Sequence, residues 1–213
     1  MLNVLVACEF SGVVRDAFRA RGHNAWSCDL ESSEITTGLG HIYHLQGDVL
    51  RVLGGNIPRD MVANSNWRGT PLLINWDLMI AHPPCTYLCN SGVRWLVNDP
   101  WRERAKKMDQ ASQFFKSLLG SNIPRVAVEN PIPHRYALLP KYTQIVQPWQ
   151  FGHGETKATC LWLKGLPKLE PTKIVEGRKP RVHYASPGPD RWKERSRTLQ
   201  GLADAMADQW GRL

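Results

Sequence analysis

With 213 residues the chain is long enough for one α/β domain with a sizeable core, and no run of 18 apolar residues in it suggests a membrane span. Its 27 Lys and Arg outweigh 19 Asp and Glu, a net charge of +8 that favours polyanionic partners, above all nucleic acid, and its nine tryptophans offer rings for stacking on bases. Five cysteines, an odd number, argue against a disulfide framework and for a reducing, cytoplasmic setting, and the first eight residues lack the basic stretch of a signal peptide.

Leu2 to Ala7 is apolar enough for a buried first strand. Gly12 to Arg21 predicts a helix with Val13, Val14, Ala17 and Phe18 on one face and Arg15, Arg19 and Arg21 off it. Asn24 to Cys28 is a short second strand, a third strand is expected before Asp48, and Val49 to Leu53 is a short helix. Residues 54 to 71, rich in Gly, Asn and Pro, read as a loop or insertion. Leu78 to Ala81 is a buried strand that Pro83 and Pro84 stop, because proline cannot donate to the ladder. Asp99 before Pro100 is a helix start. That helix should run to Leu119 and stop at Gly120, with Ala105, Met108, Ala111, Phe115 and Leu118 as its apolar stripe. Arg125 to Val128 and Cys160 to Leu163 are further strands. Residues 164 to 197 are rich in Pro, Lys and Arg with little apolar periodicity. Leu199 to Trp210 closes the chain as an amphipathic helix with Leu202, Ala205, Met206 and Gln209 on one face. Strands alternating with helices, without internal repeats, predict a single domain of α/β class built on a doubly wound, mostly parallel sheet.

Three strand ends carry candidate chemistry. In Glu9-Phe10-Ser11-Gly12 a glycine lets backbone approach a ligand and the helix start offers amides. Asp29, seventeen residues beyond Gly12, is placed to accept hydrogen bonds from a ribose, although an ordinary surface aspartate fits equally. Asp48 suits either an adenine amino group or a helix N-cap, and the two are compatible. Pro83-Pro84-Cys85 puts a thiol on a stiff turn with Thr86, Asn90 and Ser91 nearby; the plain alternative is a buried structural cysteine. Glu129-Asn130-Pro131 puts a carboxylate at another strand end, where it is either a general acid or base or part of a turn. Cys85 and Glu129 end successive strands of one βαβ unit, so they should face one crevice. A zinc site from Cys85, Cys89 and Cys160 lacks the Cys-x-x-Cys spacing that would support it.

The order of these motifs resembles that of the DNA cytosine-5 methyltransferases, in particular their small phage and prophage members. Phe10-Ser11-Gly12 resembles their cofactor loop and Asp29 the acid on the ribose. Asp48 resembles the residue near the adenine, and Pro83-Pro84-Cys85 the nucleophile motif. Glu129-Asn130-Pro131 resembles the Glu-Asn-Val or Glu-Asn-Pro motif, and Leu202 to Ala207 the closing helix. The resemblance implies a Rossmann-like methyltransferase fold, S-adenosylmethionine as cofactor and DNA as substrate. It assigns attack on cytosine carbon 6 to Cys85 and protonation of nitrogen 3 to Glu129, with Pro84, Thr86 and Asn130 about the base and Pro83 beside the cofactor.

Differences from the family pattern are equally visible. Val13 and Val14 follow Gly12 where a second glycine is usual, and Thr86 replaces a glutamine. The arginine-rich strand would fall at 155 to 159, where only Lys157 keeps a positive charge. His153 and Arg94 are the candidates to take an arginine's place. About 35 residues separate Cys160 from Ser196, too few for a target-recognition domain. A basic segment there suits non-specific phosphate contact, single-stranded substrate, or a protein partner that supplies specificity, against the plain alternative of a solvated loop. Two other readings compete: methylation of an amino group of cytosine or adenine, and a non-catalytic nucleic-acid binder. The flanking positions of the turn, His82 and Cys85, supply neither the polar acceptor nor the stacking ring that amino-group methylation uses.

Overall fold

The computed structural model describes residues 1–35, 42–62, 72–90, 96, 102–181, 184, 188 and 191–213. In chain order the elements are β1 (Asn3–Ala7), α1 (Val13–Arg19), β2 (Asn24–Asp29), β3 (His44–Gln46), β4 (Asn56–Ile57), β5 (Leu72–Leu73), β6 (Leu78–Ala81), α2 (Glu103–Leu119), β7 (Arg125–Pro131), β8 (Gln144–Val146), β9 (Thr159–Lys164), α3 (Arg191–Ser196) and α4 (Gln200–Trp210). Seven strands form one sheet in the order β3-β2-β1-β6-β7-β9-β8. The neighbours from β3 to β7 are parallel, and β9 runs antiparallel to both β7 and β8.

The alternation of side chains along the central strands decides which helices cover which face. Leu5, Ala7, Met79, Val126 and Val128 point into a core that holds Phe115 and Leu118 of α2. Val4, Val6, Leu78, Ile80 and Ala127 point into the opposite core with Val14 and Phe18 of α1 and Leu202, Met206 and Trp210 of α4. Helices on both faces bury β1 from Val4 onward and all of β6, so both stretches read as continuous apolar runs. The fold is the doubly wound, mostly parallel α/β sheet expected.

Several local expectations are corrected. Arg15 does not lie off the buried face of α1. It is fully buried, with its guanidinium on Asp16 Oδ1 at 2.7 Å and Ser27 Oγ at 2.9 Å. Residues 54 to 71 are not wholly loop, because Asn56 and Ile57 pair antiparallel with Leu73 and Leu72. Glu129, Asn130 and Pro131 are strand rather than turn, since they pair with Leu161, Cys160 and Thr159 of β9. The basic segment contains a helix, α3. Gln209 is only half-buried, exchanging hydrogen bonds with the Glu170 backbone at 2.8 Å, and Trp210 takes the core position. The Asp99-Pro100 helix start lies outside the described residues; the described helix begins at Glu103. Short β8 lacks any alternation strong enough to announce it.

Candidate active site

The parallel strands share one direction, so their carboxyl ends open on the same side, where doubly wound folds bind ligands. A cleft of about 1040 Å3 lies there. Phe10 follows β1, Asp29 and Leu30 end β2, and Asp48 follows β3. His82 and Cys85 follow β6, Pro131 ends β7, and all of these line the cleft together with Lys157, Trp192 and Arg195. Among the described residues no helix is long and apolar enough to cross a membrane, and no group of three or more His, Cys, Asp or Glu is placed to hold a metal ion. All five cysteines are free thiols.

One end of the cleft suits a nucleoside. Phe10 is nearly buried, and its ring centroid stands 5.6 Å from that of the half-exposed Trp192. Burial pushes the Asp29 carboxyl up, while the Glu31 amide donating to Oδ1 at 3.0 Å opposes that rise. Asp48 caps the short helical turn at Val49–Arg51, accepting from the Leu50 amide at 2.9 Å, and also lines the cleft. Ser11 and Gly12 do not line this cleft. They border a separate depression of about 340 Å3 with Asp16, Gln200 and Asp204. Nor are the first amides of α1 free. The buried Glu9 carboxylate accepts from Val14 at 2.7 Å and Arg15 at 3.2 Å. That turn is reached through Cys8, a non-glycine residue at φ 58°.

The other end holds His82, Cys85, Thr86 and Lys157. Pro83 is buried and Pro84 exposed on the cleft wall. The Cys85 carbonyl accepts from the amides of Leu88 at 3.0 Å and Cys89 at 3.1 Å, which closes a tight turn beneath the thiol. A hydrogen bond with Cys89, then burial, then the charges of Cys89 and Glu129 hold the Cys85 thiol far above the usual range, and Lys157 opposes them. Thr86 is exposed on the cleft, and its carbonyl accepts from Arg104 at 3.2 Å. Oε1 of Glu129 stands 3.5 Å from Nδ1 of His82. Burial raises the Glu129 carboxyl, but the His82 contact and Lys157 outweigh it and hold the group below its usual range. Burial favours neutral His82, but Glu129 and Glu9 outweigh it and raise the imidazole.

Asn130 is fully buried. Its Nδ2 donates to the Pro131 carbonyl at 2.6 Å, and its Oδ1 has no hydrogen-bond partner among the described residues. Lys157 Nζ donates to the Arg197 carbonyl at 3.2 Å. His153 is engaged elsewhere, accepting from the Gly201 amide at 2.9 Å and so tying the start of α4. Arg94 lies outside the described residues. His82, which the sequence offers only as a flanking position of the double proline, is brought to Glu129 by the fold.

The rim carries cations against rings. The loops after Cys85 and after Glu129 join through Asn90 N to Ile132 O at 3.3 Å and His134 N to Leu88 O at 3.0 Å. Arg104 over Tyr87 and Arg135 over Tyr136, 5.0 and 4.8 Å from the ring centroids, stand on these joined loops and on α2. Several cations of the 164–197 segment are already engaged. Arg178 lies 4.1 Å over Trp149, Arg181 pairs with Glu155 at 3.1 Å, and Arg197 pairs with Glu34 at 2.6 Å.

No family model and no curated protein matches the chain. Among solved structures it is similar to an Escherichia coli protein assigned as a DNA modification methyltransferase encoded within a prophage. The two are 16% identical with a TM-score of 0.47, over 83% of this chain and 52% of that one. It is also similar to a methyltransferase of Entamoeba histolytica, 16% identical with a TM-score of 0.38, over 82% of this chain and 58% of that one. The chain thus spans about half the length of these structures.

Proposed function

We propose that the protein transfers a methyl group from S-adenosylmethionine to carbon 5 of cytosine in DNA, through a covalent adduct on Cys85. The observation that carries this reading is a cleft lined by Phe10, Asp29 and Asp48 and by His82, Cys85 and Lys157, with the largely buried Glu129 3.5 Å from His82 and its charge acting on Cys85. At about 1040 Å3 the cleft is at the upper end of ordinary ligand sites, large enough for a nucleoside cofactor beside a flipped base.

Asp29 would accept from a ribose, Asp48 stands near the position for an adenine, and Phe10 with Trp192 supplies aromatic walls. Ser11 and Gly12 shape the turn that presents Phe10. The cofactor supplies the methyl group. Cys85, once ionised, attacks carbon 6 and breaks the ring's aromaticity, which makes carbon 5 an enamine carbon. Glu129 protonates nitrogen 3, and Lys157 favours the thiolate. Pro84 and Thr86 face the base from the cleft wall, and buried Asn130 holds the strand that carries Glu129. A base then removes the carbon 5 proton and the thiolate leaves. The net charge of +8 and the Tyr87–Arg104 and Tyr136–Arg135 pairs support a nucleic-acid strand across the rim. The short basic segment supports phosphate contact without a recognition domain, with sequence choice left to a protein partner or absent.

DNA containing 5-fluorocytosine tests the mechanism. With S-adenosylmethionine present, wild type should form a stable adduct and Cys85→Ala none. No adduct with wild type on single- or double-stranded DNA, or an adduct with Cys85→Ala, refutes the mechanism. Label recovered on an amino nitrogen would instead establish amino-group methylation.

A further inference from the structure

The least explained group in the cleft is His82. Its side chain is only 7% exposed, and neither ring nitrogen makes a well-formed hydrogen bond among the described residues. Nδ1 stands at ion-pair distance, 3.5 Å, from Glu129 Oε1. Charged and titratable groups face it from every neighbouring element. Glu129 from β7 and Glu9 after β1 favour its charged form, Lys157 from the approach to β9 opposes them, and Asp29 ends β2 nearby; burial raises the Glu9 and Asp29 carboxyls. Cys85 follows on the same loop. Burying a histidine beside the Glu129 carboxylate favours the imidazolium, since an unpaired buried carboxylate is more costly than a paired one.

This arrangement meets a need of the reaction. Glu129 must give a proton to nitrogen 3, yet its carboxyl is held below its usual range and rests ionised at neutral pH. A donor has to stand beside it. We propose that His82 is the proton store for Glu129: it keeps, as imidazolium, the proton that Glu129 passes to nitrogen 3 of the cytosine. The proposal rests on the methyl-transfer reading above and deepens it.

The protons balance. His82 Nδ1–H first passes its proton to the ionised Glu129 and His82 becomes neutral, after which Cys85 loses its thiol proton to water. As the bond between sulfur and carbon 6 forms and the double bond between carbons 5 and 6 breaks, nitrogen 3 takes that proton from Glu129, which is left ionised. When the carbon 5 proton departs and the sulfur–carbon bond breaks, the nitrogen 3 proton returns through Glu129 to His82. Passing the proton to Glu129 also removes the negative charge that most directly disfavours a thiolate at Cys85 among the carboxylates. One transfer therefore prepares both the acid and the nucleophile. Glu9 acts as a positioning residue, because its carboxylate is fixed by two α1 amides and cannot swing toward the substrate.

The test is the pH dependence of methyl transfer between pH 5 and 9 by wild type and His82→Gln, with 15N NMR of the wild-type imidazole. Wild type should hold its rate through pH 6.5 and lose it as pH rises through the folded value of His82, which lies above 6.5. His82→Gln should be about 100-fold slower at pH 6.5 and regain rate toward pH 5, where solvent protonates Glu129. A His82→Gln variant with the wild-type rate and profile overturns the proposal. A mainly neutral His82 ring in wild type at pH 6.5 overturns it as well, and decides the matter if the variant does not fold. A wild type that methylates no cytosine carbon 5 would refute the underlying reading, which separates the two failures.

Discussion

Gly12→Ala separates two roles for a residue that sequence alone would give to the cofactor. Gly12 sits at φ 74° as the N-cap of α1. Alanine there gains left-handed strain of about 1 kcal/mol. A Cβ at this position would also collide with the Arg15 guanidinium and come within 3.1 Å of Ile35 Cδ1. A flexible arginine would ordinarily swing aside. Arg15 is fully buried and fixed by Asp16 and Ser27, so moving it breaks at least one hydrogen bond of a charged group, worth about 1.5–3 kcal/mol. The sum is about 3 kcal/mol, a large part of a typical domain's 5–15 kcal/mol. Urea unfolding followed by tryptophan fluorescence should show this loss, with S-adenosylmethionine affinity of the folded protein unchanged. A loss under about 1 kcal/mol, or intact stability with lost cofactor affinity, would refute the reasoning and restore Gly12 as a ligand contact.

Glu129→Gln should move two readouts in opposite directions. Methyl transfer falls by about 10² to 10⁴ through loss of the acid, while iodoacetamide alkylates Cys85 faster because a charge that raises the thiol is gone. Lys157→Met removes the group that opposes that rise, so Cys85 alkylation and adduct formation at pH 7.5 should both slow. The His82–Glu129 pair should stabilise the fold most between pH 4.5 and 6.5. The raised His82 contributes fully below 6.5 and is lost as pH rises through its folded value; the lowered Glu129 contributes above 4.5 and is lost as pH falls through its own. Thermal melts of wild type against Glu129→Gln across pH 3 to 9 should show that peak. Trp162→Ala should cost about 3–5 kcal/mol in chemical denaturation, because Trp162 is buried against Phe115 and Tyr142 and donates to the Pro140 carbonyl at 2.7 Å.

The strand runs of β1, β6 and β7 and the apolar faces of α1 and α4 are legible in the sequence, because burial on a sheet or helix face leaves a period in the residue types. From strand ends alone follow the positions of Phe10, Asp29, Asp48, Cys85 and Glu129 around one side of the sheet. No such period marks Arg15, which looks like a surface cation until Asp16 and Ser27 close around it. Glu129-Asn130-Pro131 carries turn composition, yet pairing with β9 makes it strand.

The sequence by itself determined the doubly wound α/β class and the strand ends that bear the reactive side chains, since both depend on local pattern. Only the tertiary structure decided which neighbours set the charge of those side chains. His82 meets Glu129 from an adjacent strand, and the charge of Lys157 acts on Cys85 from a segment more than seventy residues away. Such pairings belong to chain packing and burial, where water is excluded and charges act strongly on one another.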